Sequence, residues 1–225
     1  MEKPSDPTEE IVYYESSAAA YVRGKMRQWD EPICCYMSKK QVIQAGKASG
    51  IKLHRFKKTM GLPRVRKVLG MLKSIQPRSI VDVGSGRGVF LWPLLDEFPH
   101  IQTRAIDIRK HIVEEIQLVA DGGIHWLAAI EANIQHKTCF SDGAVDVVTI
   151  LEVLEHLSRP DLAIRESLRV ADRFVIASVP SKEDNNPGHI NLFSAKMLES
   201  MFLSAGASSV KLDGVLNHIV LLARK

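Results

Sequence analysis

The chain has little cysteine, few aromatic residues, no long apolar run and, between Lys39 and Arg78, no acidic residue at all. Each scarcity excludes something. Cys34, Cys35 and Cys139 are the only cysteines in 225 residues, and they form no CxxC pair of the kind that holds zinc. Cys34 and Cys35 are neighbours, where a disulfide would be strained; the three read as reduced thiols of a cytoplasmic protein. No run of about 18 apolar residues occurs, so no membrane span is expected. The polar, acidic start MEKPSDPTEE lacks the basic n-region and apolar h-region of a signal peptide. Hydrophobic residues at 45% and charged residues at 25% are ordinary for a globular chain, and a core of this size folds without staples.

The missing acids expose a charge asymmetry. Residues 1–78 carry sixteen Lys/Arg against seven Asp/Glu, whereas residues 79–225 carry fourteen against nineteen. Twelve of the basic residues lie between Lys39 and Arg78, in runs such as HRFKK (54–58) and PRVRK (63–67). Such density suits a polyanion, because neutralised phosphates supply most non-specific nucleic-acid affinity. It equally suits helices packed on a sheet, whose Lys and Arg stems cover apolar surface. After Tyr36, Phe56 is the only aromatic among these basic residues, which gives little support to a base-stacking platform.

Two halves of different character meet near Pro77. Before it, Ser16–Trp29, Lys39–Ala48 and Leu62–Ile75 read as helices; Val65, Val68, Leu69 and Leu72 recur at three- and four-residue steps along one face. After it, short β-rich runs alternate with helical ones. Strands are expected at Ser79–Val83, Thr103–Ile108, Ile124–Ile130, Ala144–Leu151 and Phe174–Val179, with a closing hairpin of Ser208–Leu212 and His218–Ala223. Helices are expected at Val89–Glu97, Ile112–Ala120, Arg159–Val170 and Ser194–Ala205. This alternation implies an α/β fold with a mostly parallel sheet covered on both faces.

The strongest local signal is SIVDVGSGRG, residues 79–88. An apolar strand runs into Asp82, and Gly84, Gly86 and Gly88 then alternate before a helix. Glycines there allow positive φ and close backbone approach to a ligand, at the strand end where open α/β sheets bind ligands. The GxGxG spacing differs from the GxGxxG of dinucleotide enzymes and lacks the GK[ST] of a P-loop. AIDIRK (105–110) follows about twenty residues later, placing Asp107 where a carboxylate can accept hydrogen bonds from ribose hydroxyls. VDVVTILEVLEHL (145–157), then Arg169-Val170, Ser178-Val179-Pro180 and GHINLFSAKMLESMFLSAGA, complete the series.

In these motifs, over roughly residues 75–225, the chain resembles the class I S-adenosylmethionine (AdoMet)-dependent methyltransferases. The resemblance implies a Rossmann-like, seven-stranded, mostly parallel sheet with a C-terminal antiparallel hairpin. It divides the chain into a basic helical extension or lid, 1–76, and an AdoMet-binding domain, 77–225. It implies that Gly84, Ser85, Gly86 and Gly88 wrap the methionine part of AdoMet, with Asp82 organising the turn and the amino group. Asp107 would hold the ribose and Ile108 flank the adenine. Asn133, or else Glu131, would read the adenine edge, and Leu151 and Glu152 would lie beside the transferring methyl.

Glu152, Glu155 and His156 stand at i, i+3 and i+4, one face of a helical turn. With His189 they could hold Mn²⁺ or Mg²⁺, an arrangement similar to that of the small-RNA 2′-O-methyltransferases; capping and pocket lining is the competing account. Glu152, His156 and His189 are also the candidates for removing an acceptor proton, with His218 a fourth. Tyr13, Tyr14, Tyr21, Trp29 and Tyr36 either line an acceptor pocket or belong to the core. Three functions follow: methyl transfer to a small molecule, which leads; methyl transfer to RNA bound through residues 39–78, metal-assisted at ribose; or an AdoMet- or nucleic-acid-binding module without turnover.

Overall fold

The computed structural model describes residues 12–31, 33, 35–58, 61–183 and 185–225; Cys34 and the acidic start lie outside them. After three helices, α1 (Glu15–Gln28), α2 (Lys39–Ala48) and α3 (Pro63–Ile75), strands and helices alternate. They run β1 (Ser79–Val83), α4 (Leu91–Glu97), β2 (Gln102–Asp107), α5 (Lys110–Asp121), β3 (Leu127–Glu131), β4 (Val145–Leu151), α6 (Pro160–Val170) and β5 (Ala171–Pro180). Helix α7 (Ala195–Ser204) and the hairpin β6 (Ser209–Val215)–β7 (His218–Arg224) close the chain. The seven strands lie in the order β3-β2-β1-β4-β5-β7-β6. β1 to β5 are parallel, and β7 joins β5 and β6 antiparallel. This is the α/β sheet expected, with its antiparallel hairpin.

β1 is central, between β2 and β4, so its side chains are covered on both faces and its apolar run is nearly continuous. Strand order reverses there: the chain moves outward to β2 and β3, then returns to β4. That switch opens a crevice at the carboxyl ends of β1 and β4. Boundaries move where turns intrude. Val89 and Phe90 finish the glycine turn, so α4 starts at Leu91. Ile124 remains buried, but in a turn closed by the Leu127 N–H on its own carbonyl at 3.0 Å, which delays β3.

The N-terminal helices share the core of the sheet domain. Helix α1 lies along α5 with no room to spare. A Cβ on Gly24 would overlap the Leu118 carbonyl oxygen, and one on Gly122 would overlap that of Ala20. Tyr13, Tyr21 and Phe56 are buried in that same cluster with Trp92 and Ile116. Val65, Val68 and Leu72 of α3, the face expected from their spacing, pack with Ile80, Leu94 and Val220.

Ion pairs lie across the same contact. Arg55 pairs with Glu115 at 2.5 Å, Lys58 with Asp96 at 2.8 Å and Lys73 with Glu97 at 2.5 Å. Arg78 meets Asp146 at 3.7 Å, Arg64 meets Glu152 at 3.9 Å, and Lys67 pairs with Asp213. Six of the twelve basic residues between Lys39 and Arg78 thus face acids of residues 79–225. Among the described residues no helix is long and apolar enough to cross a membrane.

Candidate active site

The glycine turn leaves β1 with three positive φ values, 68° at Gly84, 54° at Gly86 and 82° at Gly88, a path barred to most side chains. Gly84 donates its N–H to the Ile106 carbonyl at 2.7 Å, which pins the turn to β2. Beneath it Asp82 is 2% exposed. Its carboxylate accepts from Ser85 Oγ at 2.7 Å and Thr149 Oγ1 at 2.8 Å. Burial pushes the Asp82 carboxyl up to about 6 despite these two hydrogen bonds. Above the turn opens a cleft of about 470 Å³, a volume that suits a small organic ligand. Its wall includes Asp82, Gly84, Ser85, Gly86, Asp107, Ile108, Asn133, Leu151 and Glu152.

Nine of the ten residues expected to bind the cofactor therefore share one cavity wall. Gly88 stands behind it instead: a Cβ there would overlap the Trp92 indole, so its role is close packing. Asn133 reaches the cleft, and its Oδ1 accepts from the Gln135 N–H at 3.0 Å; its alternative, Glu131, is exposed at the end of β3. Ile108 and Val89, 60% and 50% exposed, present apolar surface to the opening.

Asp107 ends β2 and is 3% exposed. Its carboxylate accepts from the Gly86 and Arg109 N–H groups, each at 3.0 Å, and from Arg109 Nε at 2.9 Å and Nη2 at 3.0 Å. Burial raises this carboxyl, but the Arg109 guanidinium and the two backbone donors outweigh it and hold the group below its ordinary value. Arg109 also lines the cleft.

The EVLEH segment divides where a common face was expected. Only Leu154–His156 form a 3-10 turn. Glu152 precedes it in a left-handed conformation, φ 55°, so helical spacing does not govern its direction. Its N–H donates to the Ser178 carbonyl at 2.9 Å, and its carboxylate accepts from Ser178 Oγ at 2.7 Å. His218 Nε2 stands 3.0 Å from the same carboxylate.

Glu155, His156 and His189 come together separately, with ligand atoms all within 4.8 Å of one another. Glu155 is fully buried, and the His156 and His189 rings meet edge-on, their centroids 4.7 Å apart. His156 Nδ1 donates to the Gly188 carbonyl at 2.8 Å, leaving Nε2 as its ligating side.

Among the cleft residues not anticipated as site residues are Arg64 and Val65 from α3, and Arg109. Arg109 had a local signal, since a cation two residues after an acid can fold back onto it. Arg64 and Val65 had none, because the packing of α3 brings them in. Tyr13 and Tyr21 belong to the core; Trp29 and Tyr36 are exposed at 47% and 93%.

Residues 81–173 match the family model described as a methyltransferase domain. Among solved structures, the methyltransferase domain of bacterial CtHen1-CN is 21% identical over 72% of this chain and 98% of its own, with a TM-score of 0.60. The YcgJ protein from Bacillus subtilis is 16% identical over 71% of this chain and 98% of its own, also at 0.60. A SAM-dependent methyltransferase from Aquifex aeolicus is 18% identical over 72% and 96%, at 0.56. At these identities the likeness is one of fold. The domain match lies within the sheet region that shares this fold.

Proposed function

Taking a class I methyltransferase domain as the premise, we propose that the protein transfers the methyl group of AdoMet to a small-molecule acceptor. The observation that carries this reading is the cleft itself. A positive-φ glycine cradle, a buried acid beneath it and a second acid on the next strand line one cavity of a nucleoside's scale. The residues fit the cofactor chemically. Asp82 suits an ammonium, the paired oxygens of Asp107 suit vicinal hydroxyls, and Ile108 and Val89 offer apolar surface to a flat base. When bound, AdoMet supplies an electrophilic sulfonium methyl. The chain's part is to hold the acceptor in line with that methyl, exclude water and take up the acceptor's proton.

The basic extension bears on the acceptor. With six of its twelve cations facing acids, the segment serves as a docking surface for the sheet domain, which supports the small-molecule reading over RNA. The exposed free thiols of Cys35 and Cys139 suit the reducing cytoplasm. The second reading, metal-assisted transfer to RNA, is favoured by one observation, the Glu155–His156–His189 group. Those three would hold a divalent ion, which would supply Lewis-acid activation of an acceptor hydroxyl; Glu152 lies outside the set.

The test incubates the protein with methyl-labelled AdoMet and cell extract lacking its own copy, then separates RNA, protein and small molecules. Label in small molecules, unaffected by EDTA, is the expected result. Label in RNA that EDTA abolishes would replace this reading with the second. Bound AdoMet with no label in any fraction would leave a binding module.

A further inference from the structure

Glu152 is held in a way that the cradle does not require. It is one of five non-glycine residues with positive φ among those described, and such a backbone costs on the order of 1 kcal/mol or more. Its position is over-determined. The backbone N–H and one carboxylate oxygen are both fastened to Ser178 of β5, and the other oxygen faces His218 of β7. Strain maintained this way at a cleft wall is a mark of function.

The hydrogen bonds of His218 determine where a proton must sit. Its Nδ1 lies 2.8 Å from the Leu216 carbonyl oxygen. A carbonyl only accepts, so Nδ1 carries a hydrogen. Its Nε2 lies 3.0 Å from Glu152 Oε2. Two lone pairs would repel at that distance, so one proton lies between Nε2 and Oε2. His218 and Glu152 therefore form a two-member acid–base unit with one shared proton. The unit stands at the ends of β4, β5 and β7, and only Glu152 opens to the cleft. Among the described residues, the other charged group facing Glu152 is Arg64 of α3, whose Nε is 3.9 Å from Oε2. Ser178, the polar partner from β5, is a donor.

Resting on the methyl-transfer reading, we propose that Glu152 is the catalytic base for a hydroxyl acceptor, with His218 as the positioning residue that shares and stores the proton. In the form without the shared proton, Nδ1–H still holds the ring to Leu216, and Oε2 and Nε2 are both free to accept. As the acceptor oxygen bonds to the methyl carbon, the carbon–sulfur bond breaks and sulfur keeps the electron pair. The hydroxyl proton passes to Glu152 Oε2 and is shared with His218 Nε2, which restores the shared-proton pair. Loss of that proton to solvent resets the unit. A thiolate or a neutral amine acceptor would not need such a base; a hydroxyl does.

Two variants test this in the full chain. E152Q keeps the shape but cannot take a proton, and H218Q keeps a donor toward Glu152 but cannot store one. Two quantities are read: calorimetric affinity for S-adenosylhomocysteine (AdoHcy), and the rate of labelling of the extract's small-molecule fraction at saturating AdoMet across pH. The expected result is a rate loss of about 10²- to 10⁴-fold for E152Q at saturating AdoMet, the usual range for a general base, far larger than any accompanying loss of AdoHcy affinity. E152Q should also lose the fall in rate that the wild type shows toward acid pH, and H218Q should keep that fall but move the pH at which it occurs. Unchanged rates or an unchanged pH profile would overturn the proposal, as would product methylated at sulfur or nitrogen. Parallel loss of AdoHcy affinity would overturn it too, reducing Glu152 to a structural residue. A wild type that binds AdoHcy yet labels nothing would overturn the methyl-transfer reading, and the base with it.

Discussion

At the scale of single residues, the site trades stability for binding. Among the described residues no cation pairs with the buried Asp82, and its carboxyl is raised to about 6. A carboxyl raised on folding favours the folded state fully below its unfolded value of 3.8, and that benefit is lost as pH rises through about 6. At neutral pH the charged group is therefore a burden on the fold. D82N should raise stability at neutral pH by about 1–3 kcal/mol, since each tenfold change in proton affinity is worth about 1.4 kcal/mol, while weakening AdoHcy binding. Urea unfolding and calorimetry on one preparation check both; a destabilised D82N would show that the charge supports the turn. At Asp107, all four hydrogen bonds come from the chain itself, two of them from the Arg109 side chain. On the proposed function, ribose hydroxyls would have to displace that side chain. R109A should then bind AdoHcy about 2–10-fold more tightly, since a net hydrogen bond to a charged group is worth about 1.5–3 kcal/mol and water replaces part of it. Weaker binding would show that Arg109 contacts the nucleoside.

At the scale of elements, α3 joins the N-terminal helices to the cleft. Its buried stripe was legible because Val65, Val68 and Leu72 repeat with helical spacing, and that stripe faces β1, α4 and β7. Its polar flank, which was not legible, carries Arg64 to Glu152 and Lys67 to Asp213. Leu72 is fully buried, so L72A should cost about 2–5 kcal/mol by urea unfolding. A single transition at lower urea is expected, because α3 shares its core with the sheet. An early separate transition would mean that the extension unfolds alone. The EVLEH turn teaches the opposite lesson. Its spacing predicted one face, but the chain enters a 3-10 turn only at Leu154, and Glu152 is turned by partners on β5 and β7.

At the scale of the whole molecule, net charge of +4 conceals complementary halves that meet in the folded state. Partly exposed pairs of this kind contribute about 0–1 kcal/mol each, so their number matters for orientation more than for stability. Their consequence for function is that half of the segment's twelve cations already face acids of the sheet domain. Binding of a generic single-stranded RNA, followed by fluorescence anisotropy, should be weak and vanish at physiological salt. Tight binding, with a salt slope reporting six or more phosphate contacts, would restore the basic segment as a nucleic-acid surface.

By itself the sequence determined whatever depends on neighbours along the chain. Alternating apolar runs and helical stripes specified a mostly parallel sheet with a terminal hairpin. Glycines at 84, 86 and 88 required a turn that almost only glycine can follow, and Asp82 and Asp107 came near the ends of their strands at predictable places. These signals are local: backbone sterics and side-chain periodicity act within a few residues. Tertiary structure alone decided the rest. It gave Glu152 the distant partners Ser178, His218 and Arg64, gathered Glu155, His156 and His189 without it, and set the basic segment against acids. Electrostatic attraction and hydrogen bonding depend on distance in space, and that distance exists only once the sheet has brought separate segments together.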